Sequence, residues 1–376
     1  MTQTSSPTLP SANAAAEDAP FRYHTLDELR EAGLRRLDVG PLGYLEGGSS
    51  AERTLRRNRS AFDRWTLVPR VMSGLPTPST ATSFLGIRLE APILTAPFGS
   101  DGLFDADGHM AVARANARAG TAGIVPEAGT HSVEAVREAA PAATPFGQLH
   151  PMGDPDNFVR MLKRYEAAGF SALCITCDCP TSGWKNRNLR NEYVLPEDVI
   201  NGNYPPGSGT ELEAVFGQIY SPAEAVWGWD RLSKLMANTS LPWIAKGVLT
   251  PEDATAALVA GASALQVSTH GGRQLDSTIS AIEALPHIRD AVGPEVPIAF
   301  DSGIRDATDI VKAIALGADV VVLGRLAVYG LAAAGEEGVY TTLELLQNEL
   351  TTVLTLLGRG GVAELDRTAV RRETAA

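Results

Sequence analysis

The sequence predicts a (β/α)8 TIM barrel with an N-terminal helical extension, and three observations carry that expectation. Short apolar runs recur about eight times along the chain. Amphipathic stretches of helical length separate them, most closing on a glycine. Charged side chains gather just after the apolar runs, at the face where such a barrel keeps its chemistry.

The expected strands are Ala91 to Pro97, Gly123 to Pro126, Phe146 to Leu149, Ala172 to Cys177, Pro242 to Lys246, Ala264 to Ser268, Val296 to Asp301 and Val320 to Leu323. Helical patterns lie between them at Gly108 to Ala119, Asp156 to Ala168, Pro251 to Ala260, Thr278 to Ala291 and Ala307 to Leu316. Gly120, Gly169, Gly261 and Gly317 follow four of these, as C-capping favours. Repeated alternation of strand and helix implies a parallel sheet, and about eight units close a barrel rather than an open doubly wound sheet. On that frame Asp178, Lys246, His270, Arg273, Asp301, Arg305 and Arg325 fall at or just after strand ends. Seven such placements mark an active face.

Length and composition agree. Of 376 residues, 1–20 are rich in Ser, Thr, Ala and Pro without apolar pattern, and are read as a disordered tail. Residues 21–376 then suit one barrel with extensions. The N-terminus has neither the basic start nor the apolar core of a signal peptide, and no run reaches the roughly 18 apolar residues that span a bilayer. A cytoplasmic protein without a membrane span is expected. The net charge of −12 argues against a nucleic-acid partner. Cys174, Cys177 and Cys179 are clustered, but zinc sites of the Cys-x2-Cys type need a second pair, and Cys174 and Cys177 would point to opposite strand faces. They are read as buried thiols, with no metal.

The most informative segment is Leu265-Gln-Val-Ser-Thr-His270-Gly-Gly-Arg273-Gln-Leu-Asp276, where an apolar run ends by presenting His270 and Arg273 on a Gly-Gly turn. Imidazole is a base near neutral pH and guanidinium holds a carboxylate through two hydrogen bonds, so the pair suits an anionic substrate that loses a proton. A second segment, Phe300-Asp-Ser-Gly303-Ile-Arg305, is followed by Leu323-Gly324-Arg325. Loops after strands seven and eight of such barrels cradle phosphates; the glycines allow close approach and the arginines supply countercharge. Lys246 ends strand five, and a buried ammonium must neutralise something. A Schiff base, a phosphate contact and stabilisation of an anionic reduced flavin all fit.

These segments, with Tyr44 in Gly43-Tyr-Leu-Glu-Gly-Gly and the stretch Arg53 to Phe62 ahead of Pro69-Arg70, resemble the FMN-dependent α-hydroxy acid oxidases and dehydrogenases, a family that includes glycolate oxidase, lactate oxidase, lactate 2-monooxygenase and mandelate dehydrogenase. The resemblance runs from about Tyr23 to the C-terminal helix. It implies an FMN cofactor and oxidation of an L-2-hydroxy acid to the 2-oxo acid by hydride transfer to flavin N5, with oxygen or another acceptor taking the electrons onward. By the same resemblance His270 is the base for the α-hydroxyl proton, Asp178 backs its imidazole, Arg273 grips the substrate carboxylate and Tyr44 hydrogen-bonds to it. Lys246 sits at N1 and the C2 carbonyl of the flavin; Pro97, Gln148, Thr176 and Ser268 contact the ring; Asp301, Gly303, Arg305, Gly324 and Arg325 hold ribityl and phosphate. A homo-oligomer, tetrameric in the family, is implied as well.

Several positions depart from the family's pattern. Pro126 stands where a flavin-contacting Ser is usual, Ala128 where an aromatic is, and Pro97-Phe98-Gly99 where a smaller pair follows the proline. His150 replaces a substrate-facing phenol, and Lys185 takes the place of a second carboxylate-binding arginine, with Arg187 two residues away as a substitute. The hydride-transfer half matches and the substrate half is rebuilt. A flavin-dependent tailoring enzyme of specialised metabolism acting on a larger substrate is therefore the alternative, and a phosphate-binding isomerase or synthase barrel a minority one. Acceptor, substrate and oxidase or monooxygenase outcome stay open.

Overall fold

Side chains alternate in and out along a strand, so the register of each barrel strand decides which groups reach the mouth. In the computed structural model, residues 23–220 and 226–373 are described, and the tail expected at 1–20 lies outside them. Eight parallel strands close a barrel in chain order: β1 Ile93–Thr95, β2 Ala122–Val125, β3 Pro145–Leu149, β4 Ala172–Thr176, β5 Trp243–Val248, β6 Ala264–Val267, β7 Ile298–Phe300 and β8 Val320–Leu323. β8 returns to pair with β1, Val321 opposite Ile93. Every expected strand is found, with ends differing by no more than two residues.

A helix follows each strand: α1 His109–Ala119, α2 Val133–Ala139, α3 Pro155–Ala167, α4 Trp229–Met236, α5 Pro251–Val259, α6 Ala281–Val292, α7 Ala307–Ala315 and α8 Arg325–Leu357. Local chemistry sets their ends. Asp154 and Thr250 cap α3 and α5 from the side chain with Pro at the first helical position, and Asp306 caps α7. Gly120, Gly169, Gly261 and Gly317 all take positive φ, the left-handed geometry that stops a helix. α6 starts at Ala281, three residues later than the Thr278 expected, because Thr278 is drawn off to donate its backbone N–H to Thr54 Oγ1.

Leu94, Ile124, Phe146, Cys174, Ile244, Ala264, Ala299 and Val322 fill the barrel interior, and the hairpin of Thr82–Phe84 and Ile87–Leu89 packs onto this cluster with Phe84 and Leu89. Alternate residues, among them Ile93, Leu173, Leu265 and Val321, face the helices. Two positions beyond the inner apolar layer the same inward register delivers Gln148, Thr176, Lys246, Gln266 and Asp301, all buried. The polar layer at the mouth thus follows from strand periodicity. Cys174 points inward and Cys177 outward, both thiols are raised by burial, and no group of metal-binding side chains occurs among the described residues.

The N-terminal extension is helical as expected: Leu26–Arg35, Val39–Glu46 and Arg53–Ser60. The first packs on α8, and Trp65–Leu67 pairs antiparallel with Val370–Arg372, tying the two ends together. α8 bends at Ala334 and Gly335. Its limbs meet at Gly330 and Gly338, where an added Cβ at Gly338 would run into the Gly330 carbonyl. Gly338→Ala is expected to cost roughly 1–3 kcal/mol as overpacking against backbone, measured by chemical denaturation.

Candidate active site

The turn after β6 sets the geometry. His270, Gly271 and Gly272 take φ values of 55°, 63° and 74°, a left-handed run that only glycines accept freely. Ser302 Oγ accepts the Thr269 and Gly271 N–H groups at 3.0 Å each, and Thr269 Oγ1 takes that of Gly272 at 3.2 Å. Gly247 in the bulge of β5, at φ 101°, leaves room for Asp178, whose Cβ would otherwise meet a side chain there.

In this frame His270 Nδ1 lies 3.1 Å from Asp178 Oδ1 and 3.2 Å from Lys246 Nζ, and Lys246 Nζ is 3.5 Å from the same carboxylate oxygen. Burial opposes the charge on Asp178, yet the Lys246 ammonium and His270 hold its carboxyl well below the usual range. Burial likewise works against Lys246, and Asp178 with Asp301 overcomes it, raising the ammonium above its ordinary value. Burial and the neighbouring ammonium push the His270 imidazole down. The result is a neutral ring at pH 7, anchored through Nδ1, with a carboxylate behind it to stabilise the cation once a proton is taken.

Arg273 lies across the ring of Tyr44, its guanidinium carbon 4.6 Å from the centroid, and donates to the Tyr44 and Gly47 carbonyls. Tyr44 itself comes from the helix Val39–Glu46. Arg325, the first residue of α8, donates to the carbonyls of Leu45, Gly47 and Gly271, and so ties that helix to the His270 turn. Tyr44, Pro97, Phe98, Lys246, His270, Arg273, Asp301, Gly303, Arg305, Gly324 and Arg325 line one cavity. Burial, then the proximity of Arg273 and Arg305, lowers Arg325 to about 9. Burial also lowers Arg305. Four cations, Lys246, Arg273, Arg305 and Arg325, crowd a pocket that calls for an anion.

The comparisons with known proteins fit this geometry. The profile described as FMN-dependent dehydrogenase matches residues 34–372. The chain belongs to the FMN-dependent dehydrogenase family. An L-lactate oxidase of Lysinibacillus sphaericus (strain C3-41) is 35% identical over 97% of this chain and 96% of its own. Human 2-hydroxyacid oxidase 1 is 34% identical over 88% and 91%. The crystal structure of a mandelate oxidase with benzoyl-formic acid is similar at a TM-score of 0.85 and 33% identity, covering 94% of this chain and all of that one.

As an FMN-dependent dehydrogenase the chain is an oxidoreductase acting on CH–OH donors, and its pocket fits the cofactor. Nothing stands within 4 Å of a Cβ placed on Gly324, so that backbone opens onto the cavity at the N-terminal end of α8, where a helix favours a phosphate. Asp301 is fixed by Gln266 Nε2 at 2.6 Å and Ser268 Oγ at 2.8 Å.

The remaining expected residues lie near the cavity without lining it. Gln148 Nε2 donates to Thr176 Oγ1 at 3.0 Å in the inward polar layer, and Ser268 Oγ accepts the His270 N–H at 2.9 Å. Lys185 opens the short helix Asn186–Arg190 and donates to the Arg273 carbonyl. Arg187 is held by Glu52 through two hydrogen bonds of 2.6 and 2.8 Å, which commits it elsewhere and leaves Lys185 as the cation beside Arg273. His150 turns to Glu127.

Four structural residues escaped the sequence analysis. Gln274 and Asp276 were in view in the His-Gly-Gly-Arg segment: Gln274 holds the loop after β4 through Gly183 N–H and the Asp178 and Thr181 carbonyls, and Asp276 accepts the Ala51 and Thr54 N–H groups at the start of Arg53–Ser60. Glu127 and Tyr204 had no local signal.

Proposed function

We propose that the protein oxidises an L-2-hydroxy acid to the 2-oxo acid, with His270 as the base, Asp178 behind it, and Arg273 and Tyr44 on the substrate carboxylate. The observation that carries this reading is the meeting, in one cavity, of a carboxylate-anchored imidazole with the guanidinium of Arg273 and the ammonium of Lys246. FMN supplies the two-electron acceptor. With FMN bound, Lys246 would answer negative charge on the ring, and Gly303, Arg305, Gly324 and Arg325 would hold the phosphate. Pro97, Gln148, Thr176, Ser268 and Asp301 complete the cofactor contacts. His270 takes the hydroxyl proton while Arg273 and Tyr44 hold the carboxylate in place.

Oxygen is proposed as the electron acceptor, in line with the oxidases among its relatives. A cytoplasmic location and a homo-oligomer belong to the same reading; among the described residues no helix is long and apolar enough to cross a membrane. Ala128, His150 and Lys185 favour acids larger than glycolate, because a smaller side chain leaves room and each buried methylene of substrate contributes about 0.8 kcal/mol. The test is a series of L-2-hydroxy acids of increasing side-chain length followed by anaerobic flavin bleaching. kcat/KM should rise with length; an optimum at glycolate or lactate would remove the enlarged pocket and keep the reaction.

Lys185 adds a pH dependence. Burial and the Arg273 guanidinium lower its ammonium to about 7. Its charged form binds a carboxylate and prevails below that value, so KM should rise as pH passes above 7. Lys185→Arg stays charged throughout, and its KM should be flat from about pH 6 to 9. Steady-state KM across that range decides the point.

A further inference from the structure

Two imidazoles at the catalytic end of the barrel are anchored in the same manner. His270 after β6 turns Nδ1 to Asp178 at 3.1 Å, and His150, the residue that follows β3, turns Nδ1 to Glu127 Oε2 at 3.1 Å. Glu127 comes from the loop after β2 and is almost fully buried, 2% exposed, with its carboxylate shared among three donors. Oε1 accepts the Tyr204 hydroxyl at 2.6 Å; Oε2 accepts the His150 backbone N–H at 2.9 Å besides the ring. Asn203 Nδ2 donates to the Glu127 backbone carbonyl at 2.8 Å, which locks the backbone that carries the carboxylate.

A carboxylate buried this deeply is costly unless every lone pair it presents is used, so its placement beside a ring nitrogen is a constraint on that ring. Phe216 packs edge-on against the His150 ring at 5.9 Å, and the Gln148 amide nitrogen lies 3.3 Å from Nδ1 and 3.4 Å from Nε2. Gln148 in turn bonds Thr176, the residue opposite Lys246 in the β4–β5 register. His150 is therefore two side chains from the Lys246 and His270 cluster, on the same barrel face. Its ring keeps 13% exposure, whereas the Glu127 side chain has 3%.

We propose that Glu127 is a positioning residue that acts through His150: it fixes the proton on Nδ1 and the plane of the ring, so that Nε2 is the nitrogen left to meet a substrate oxygen. The inference rests on the L-2-hydroxy acid reading above and names a specificity element of that site. Glu127, His150 and Tyr204 come from three different loops, so the device is built by the fold rather than by a local motif.

The test uses the FMN-loaded full chain and the best L-2-hydroxy acid of the series, with Glu127→Gln, Glu127→Asp, His150→Gln and the double variant Glu127→Gln with His150→Gln. Glu127→Gln should raise KM about tenfold with the limiting rate of flavin reduction within about threefold. His150→Gln should do the same, the double variant no more than either alone, and Glu127→Asp should recover most of the loss. A Glu127→Gln protein that matches the unmodified KM while His150→Gln does not would overturn the proposal, as would effects of the two that multiply. If Glu127→Gln fails to fold, His150→Gln and Glu127→Asp decide: unchanged KM in both contradicts the proposal, and a raised KM in His150→Gln with an intermediate one in Glu127→Asp supports it. Failure of the underlying reading looks different, since the unmodified protein would then show no flavin bleaching by any acid of the series.

Discussion

His270→Ala is expected to keep FMN bound and to slow anaerobic flavin reduction by 10²-fold or more, the usual loss when a positioned general base is removed. Its imidazole is fixed through Nδ1 by Asp178, and the turn that carries it is held by Ser302 and Thr269, whose bonds run to backbone rather than to the ring. The variant should fold and bind cofactor normally for that reason. Asp178→Asn should slow the same step by less, because the ring keeps a hydrogen-bonding neighbour and loses only the charge that stabilises its cation. Stopped-flow reduction under argon compares the three proteins directly. A His270→Ala rate equal to that of the unmodified protein would move the base elsewhere, with His150 the next imidazole on that face.

Arg325→Ala should be the most damaging change outside the base. The side chain lines the cavity beside Arg305, and its three donors also bridge Leu45 and Gly47 to Gly271, so removal takes away countercharge and frees the Tyr44 helix from the catalytic turn. Charge-assisted hydrogen bonds contribute about 1.5–3 kcal/mol each, and two lost to a phosphate correspond to about 10²- to 10⁴-fold in FMN affinity. Arg305→Ala is the control. It carries one local bond to the Ile304 carbonyl, so it should weaken FMN binding without slowing flavin reduction once cofactor is saturating. Equilibrium titration of the apoprotein with FMN gives both constants; Arg325→Ala binding as tightly as the unmodified chain would remove the phosphate assignment.

Much of this site was legible because its parts are short in sequence. The eight strands are buried apolar runs closed by glycine or proline, and once their register is known the inward polar layer of Gln148, Thr176, Lys246 and Asp301 follows by counting in twos. His270 and Arg273 share one turn, and Arg305 and Arg325 flank one helix and strand. What the sequence hid depends on pairs that only folding brings together. Arg53–Ser60 is dense in arginine and has no apolar stripe of its own; it is a helix because Asp276, more than 200 residues away, takes the N–H groups at its start. Arg187 and Lys185 looked interchangeable until Glu52, 135 positions distant, claimed Arg187. Glu127 reaches Tyr204 across 77 residues, and nothing in either neighbourhood announces the partner. Short-range periodicity encodes the barrel and the polar layer at its mouth, whereas Arg187, Glu127 and Tyr204 are placed by loop-to-loop contacts that periodicity does not carry.

The central claim is that this pocket passes two electrons from an L-2-hydroxy acid to bound flavin while His270 takes the hydroxyl proton. One anaerobic single turnover tests it most directly: mixing the FMN-loaded protein with a long-chain L-2-hydroxy acid should bleach the oxidised-flavin absorbance with one 2-oxo acid formed per flavin, while the D-enantiomer leaves it yellow. Flavin that stays oxidised with every L-2-hydroxy acid, in a protein that binds FMN and is reduced by dithionite, would contradict the account.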